Sequence, residues 1–263
     1  MLEYAFAERA LVAAVVVGLL CGLLGFFVIL RRLAFIGVGI AHSAIGGVAL
    51  GLLLGFDPGL SAAVFAVVVA LGMFRVARDR RLGEDAIIGV FLSGSMALGL
   101  LLMGLQHGYQ RDLFAYLFGS LLAVSSADLA ALCGLAAVLT VIIAVSFREM
   151  LFVAFDEEVA RAYGRPVDWM DALLVVVLAL TVVAGVRVVG VLLVEALLVV
   201  PAATAALWTL DFRRQVALSM SLGAGSAVAG LWLSYTMDVG AGAAIVMVAV
   251  LIFFASWMLR RSA

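Results

Sequence analysis

The sequence predicts an all-α, polytopic membrane helix bundle of eight to nine spans, one transmembrane domain over residues 1–263. Three observations carry that prediction. Hydrophobic residues make up 67% of the chain and charged residues 13%, about half the charged share of a soluble domain. The apolar residues fall in runs near the ~20 residues that a bilayer requires of a helix. The few positive charges collect in the short segments between alternate runs, as they do beside cytoplasmic membrane faces.

The runs lie at 10–30, 33–54, 59–77, 86–105, 128–147, 171–188, 190–209, 215–235 and 239–259. Glu3 and Glu8 precede the first run, and its apolar stretch outlasts a signal h-region, so it reads as a retained span. Arg31 and Arg32 alone separate the first run from the second, and Phe56, Asp57, Pro58 and Gly59 form a turn before the third. Gly18 with Gly22, and Gly47 with Gly51, stand four residues apart, the spacing at which helix backbones approach closely in lipid. Glu195 and Pro201 interrupt 188–209, which reads as a full span or as a broken or re-entrant helix. Cys21 and Cys133 are isolated in apolar runs and read as small buried hydrophobes.

All 16 basic residues are arginine. With the N-terminus outside, thirteen fall in inside segments (31, 32, 75, 78, 80, 81, 148, 161, 165, 213, 214, 260, 261) and three outside (9, 111, 187). That asymmetry predicts an external N-terminus and a cytoplasmic C-terminus. The absence of lysine excludes a Walker A phosphate loop, which needs that residue, so the chain does not hydrolyse ATP through a P-loop of its own. A net charge of −1 without a basic stripe excludes a nucleic-acid partner.

A polar side chain in the bilayer core is costly, about 2.5–3.5 kcal/mol for a carboxylate, so those present call for a reason. His42 sits within the glycine-rich second run, and Glu195 lies six residues before Pro201 in the seventh. Imidazole and carboxylate together suit a divalent ion such as zinc or manganese. The plainer alternative is a neutral His42 bonded to a carbonyl and a Glu195 that is protonated or paired. Arg187, about 12 Å from Glu195 along a helix, is placed at the outer interface instead. His107 and Asp112, in an outside loop, could meet an arriving cation or form a solvated turn. Asp57 and Asp238 read as turn residues. No Ser-His-Asp or Glu-x-x-His arrangement supports hydrolase chemistry.

The segment 147–171 is the longest cytoplasmic stretch. Asp156, Glu157 and Glu158 open a short helix there, Val159, Ala162 and Tyr163 give it an apolar stripe, and Gly164 with Pro166 closes it. Such a helix suits docking by a cytoplasmic partner, or else lies on the membrane surface.

Three strings, LRRLAFIGVGIAHSAIGGVALG (30–51), AFDEEVARAYG (154–164) and VVGVLLVEALLVVPAATA (188–205), together resemble the permease subunits of ATP-binding-cassette importers for zinc, manganese and iron. The resemblance runs over nearly the whole chain. It implies a type II importer fold, a homodimer, a separate cytoplasmic ATPase docked on a coupling helix, and an extracytoplasmic metal-binding protein. It puts Asp156, Glu157, Ala160 and Gly164 on the coupling helix, and makes a divalent metal ion the transported substrate with no resident cofactor. The chain departs from the family's second-span pattern: Val38, Ala41 and Gly46 stand where Asp, Ser and Pro are usual, while His42 is kept. Positions four apart share a helix face, so half of an ion-binding pair is missing, and Glu195 is the expected replacement carboxylate. Two other readings are a self-contained secondary transporter in which His42 and Glu195 relay protons, and an importer of similar architecture for a siderophore- or cobalamin-type chelate.

Overall fold

A computed structural model describes residues 5–78, 83–105 and 124–261. Among them the regular structure is entirely helical: α1 (Ala5–Leu30), α2 (Ala34–Leu54), α3 (Pro58–Ala77), α4 (Glu84–Gly104), α5 (Ser126–Phe155), α6 (Glu157–Ala162), α7 (Val167–Val189), α8 (Val191–Trp208), α9 (Phe212–Met237) and α10 (Ala241–Arg261). All but α6 are long and apolar enough to cross a membrane.

Helix boundaries depart from the predicted ones most around the cytoplasmic segment. The fifth span continues past residue 147 to Phe155, giving 30 residues or about 45 Å, longer than a bilayer core. Arg148 and Glu149 are good helix formers, and the extra turns carry Val153, which is buried against Ala160 and Val167. At the other side α7 begins at Val167, directly after Pro166, with Asp168 in its first turn. Only residues 156–166 remain between the two long helices.

Two compact units divide the chain. One comprises residues 1–34, 118–140 and 188–263, the other 35–117 and 141–187. In the first, α1 packs against α8 and α9, and α10 against α8 and α9. A Cβ on Gly18 would lie 2.8 Å from the backbone of Gly223, and one on Gly22 would lie 2.7 Å from the Ser219 carbonyl oxygen. The Ser219 hydroxyl donates to the Gly22 carbonyl at 2.7 Å. Small residues thus bring α1 and α9 into backbone contact, where lipid offers no hydrophobic drive to association.

In the second unit α2 presses on α3 in the same manner. A Cβ on Gly47 would lie 2.7 Å from Ala62 Cα, and one on Gly51 2.7 Å from the Ser61 side chain. The turn before α3 is capped by Asp57, whose carboxylate accepts from the Leu60 amide at 2.8 Å. Asp238 ends α9 in the left-handed region, φ 54°. Both aspartates serve turns, as predicted.

Within the run at 188–209, residues 191–208 form one helix that Pro201 does not break. Gly190 (φ 89°, ψ 161°) separates α7 from α8, a backbone conformation that is essentially glycine's own. Pro201 is buried within α8 and the helix continues through it to Trp208, with the Thr204 hydroxyl donating to the Val200 carbonyl at 2.8 Å.

Candidate functional site

His42 lies about two turns into α2 and is half-buried, between buried Ala41 and Ser43. Its Nδ1 is 3.0 Å from the Val38 carbonyl oxygen, one turn earlier. A carbonyl only accepts, so Nδ1 carries the proton of this contact. A histidine that ligates a metal through one nitrogen commonly donates from the other to a carbonyl, which sets ring orientation and raises basicity.

The two other departures from the family pattern are packing positions. Ala41 is fully buried. A Cβ on Gly46 would lie 3.0 Å from the Ser95 carbonyl oxygen of α4 and 3.1 Å from the Phe65 ring of α3. Neighbouring helices occupy the space where the family's proline would project.

Glu195 is half-buried in the second turn of α8. It belongs to the first unit and His42 to the second. Among the described residues no three His, Cys, Asp or Glu side chains group as metal ligands.

Arg187, at the last turn of α7, is exposed and reaches the start of α3, with Nη1 2.6 Å from where a Cβ on Gly59 would lie. Asp57 Oδ1 is 3.2 Å from the same point. Its place at the end of its helix agrees with the expected interfacial position. His107 and Asp112 lie outside the described residues.

The segment 156–164 folds as predicted into a capped helix. Asp156 is the N-cap of α6 and accepts from the Val159 amide at 2.9 Å, satisfying one of the helix's orphan donors. Glu157 and Glu158 occupy the first turn and Arg161 the last, each complementing the helix dipole. Gly164 has φ 71°, and its amide donates to the Arg161 carbonyl while that of Arg165 donates to Ala160, both at 3.0 Å. Glycine permits that left-handed exit. Ala160 is completely buried against Val153 and Val167, with Phe152 and Met170 around them. Phe155 just before α6, Val159 within it and Tyr163 at its end are 62%, 40% and 76% exposed, and nearby Trp169 is 66% exposed.

An ionic cluster surrounds α6 that sequence reasoning missed. Arg161 Nη2 lies 3.1 Å from Glu157 Oε1 and 3.0 Å from Asp168 Oδ1. Asp168 also pairs with Arg78, just past the end of α3. Arg165 Nη1 is 3.0 Å from Glu149 Oε1. The Glu157–Arg161 pair has i,i+4 spacing and was legible in the sequence. The Arg78–Asp168 pair joins residues 90 positions apart and had no local signal.

Comparison with known proteins places these features in context. A family model described as the ABC 3 transport family matches residues 3–260. MntC of Listeria monocytogenes, a manganese transport system membrane protein, is 36% identical over 98% of this chain and 92% of its own length. ScaB of Streptococcus gordonii, a manganese import system permease protein, is 34% identical over 98% of this chain and 92% of its own. The solved structure of PsaBC from Streptococcus pneumoniae in complex with Fab aligns with a TM-score of 0.86 at 36% identity, covering 97% of this chain and 92% of that one. With nine apolar helices of spanning length among the described residues and a family match across nearly its whole length, this chain belongs to the ABC 3 transport family.

Proposed function

We propose that the chain is the membrane-spanning permease subunit of an ATP-binding-cassette importer for a divalent metal ion, with manganese the first cargo to test and zinc and iron its competitors. Relatives named for manganese transport, aligned over 98% of the chain, support the cargo. The observation that carries the mechanism is α6. It is a short helix seated on the buried Ala160 and capped at both ends, with Val159 on it and Phe155 and Tyr163 beside its two ends exposed. Exposed side chains of that kind outside the spans fit a cytoplasmic ATPase, and the chain's lack of lysine means that hydrolysis must come from such a partner.

In this reading an extracytoplasmic metal-binding protein delivers the ion, two copies of the permease form the pathway across the plasma membrane, and the N-terminus is external. His42 and Glu195 each offer a ligand to the ion in transit. His42 would supply an imidazole nitrogen, its ring oriented by the Val38 carbonyl, and Glu195 an oxygen, a donor set that suits manganese, zinc or ferrous iron. A larger chelate is less well served. Gly39, Gly46, Gly47 and Gly51 of α2 all have α3 or α4 atoms within 3.0 Å of where a Cβ would lie, so these glycines serve packing and do not line an open path.

Reconstitution with the ATPase in proteoliposomes tests the assignment. Manganese uptake should depend on ATP, with zinc, ferrous iron and cobalt offered in competition. His42→Ala and Glu195→Gln should each lower uptake by about tenfold or more, the scale of lost metal ligation. Unchanged uptake in both variants would remove these residues from the pathway.

A further inference from the structure

We propose that Asp168 and Arg78 are positioning residues for coupled transport, fastening the docking helix α6 to α3 and through it to the helix that carries His42. The proposal rests on the permease reading above. At six residues, α6 is too short to hold its own helical shape in water, so its orientation comes from what surrounds it. The apolar cluster beneath it consists of residues from α5 and α7. The link to α3 is ionic: Asp168 Oδ1 receives both Arg161 of α6, at 3.0 Å, and Arg78 beyond the end of α3. The Arg78 guanidinium also lies 5.1 Å from the centroid of the Phe74 ring, which limits its freedom.

From α3 the path continues by close contact. The backbone of Ala62 and the Phe65 side chain stand against Gly47, Ser61 and Pro58 against Gly51, and the end of the Met73 side chain reaches Gly39. Packed backbones of this kind transmit displacement with little slack. A shift of α6 that draws on Asp168 therefore reaches α2, and every residue in this path belongs to one compact unit.

The chemistry of the link also suits its task. Side chains of Arg78, Asp168 and Arg161 are 38%, 54% and 52% exposed, and ion pairs in water contribute little. A partner seated on Phe155, Val159, Tyr163 and Trp169 would exclude water beside them, and charges in a drier setting interact more strongly. The tie is then loose in the lone permease and firm once the ATPase is engaged, which an apolar contact would not provide.

The test uses the permease–ATPase complex in proteoliposomes with manganese as the probe, measuring co-purification of the two chains, ATP hydrolysis and manganese uptake. Arg78→Gln and Asp168→Asn should leave co-purification intact and hydrolysis within about twofold, while manganese taken up per ATP falls about fivefold or more. Arg78→Lys, which keeps the charge, should recover most of that loss. Thermal unfolding of the purified variants should match the wild type, because the pairs are exposed. An unchanged uptake ratio in both variants overturns the proposal, as does equal damage by Arg78→Lys and Arg78→Gln, or loss of co-purification. A wild-type complex that hydrolyses ATP without moving manganese, zinc or iron overturns the metal-importer reading itself, and with it this proposal.

Discussion

His42 Nδ1 lies 3.0 Å from the carbonyl oxygen of Val38, the residue that stands where related permeases are expected to carry an aspartate. The backbone of this position orients the imidazole, while its side chain contributes no charge. Restoring the carboxylate should leave that hydrogen bond in place, since it uses the peptide carbonyl, and should add a ligand on the same half-buried helix face. Val38→Asp is therefore expected to lower the manganese concentration for half-maximal uptake by about tenfold, equivalent to ~1.4 kcal/mol. Uptake kinetics in proteoliposomes would show it, and an unchanged half-saturation would mean that position 38 does not face the ion.

Docking through α6 predicts different behaviour at its exposed and its buried positions. Tyr163→Asp and Val159→Asp alter exposed side chains and should abolish ATPase co-purification with little change in the permease's thermal stability. Ala160→Leu forces bulk into a fully buried position and should destabilise the segment by about 1–3 kcal/mol, visible as increased proteolysis between α5 and α7.

Gly164→Pro should unravel the end of α6, because proline fixes φ near −65° where the backbone needs 71°, and removes the amide that bonds to Arg161. Stimulated ATPase activity should be lost while the spans stay folded. Charge reversal of Asp156 with Glu157 should act in the same direction by removing a cap that contributes ~1 kcal/mol and the charge beside it. Survival of full stimulation in both variants would refute the docking assignment.

The α1–α9 contact leaves no room for side chains at Gly22. Gly22→Val should destabilise the permease strongly, measured as a fall in thermal unfolding temperature in detergent, because the Ser219 carbonyl oxygen sits 2.7 Å from where the first added carbon would go. Ser219→Ala, which removes only the hydroxyl bond to Gly22, should cost ~0.6 kcal/mol.

Much of this was legible in the sequence because membranes simplify the problem. Backbone polar groups must be satisfied within each span, so apolar length alone locates helices such as α1 and α9. Asp156 and Gly164 announced a capped helix through side-chain and backbone chemistry that acts within a few residues. Pro201 misled in part, since a buried proline can interrupt a helix or be carried within one, and neighbouring residues decide which. The reach of α5 to Phe155 was hidden for a related reason: hydropathy ends at Arg148, but helix propensity and the contact of Val153 beneath Ala160 do not.

By itself, then, the sequence determined the apolar spans, the arginine asymmetry, the lack of a Walker A lysine and the short capped helix at 156–164. These follow from local composition and from residue types that are present or missing. Only the tertiary structure decided that Phe65 and Ser95 crowd the space beside Gly46 and that Asp168 joins Arg161 to Arg78. Contacts between helices depend on which faces turn toward each other, and side chains distant along the chain meet there without leaving a periodic trace.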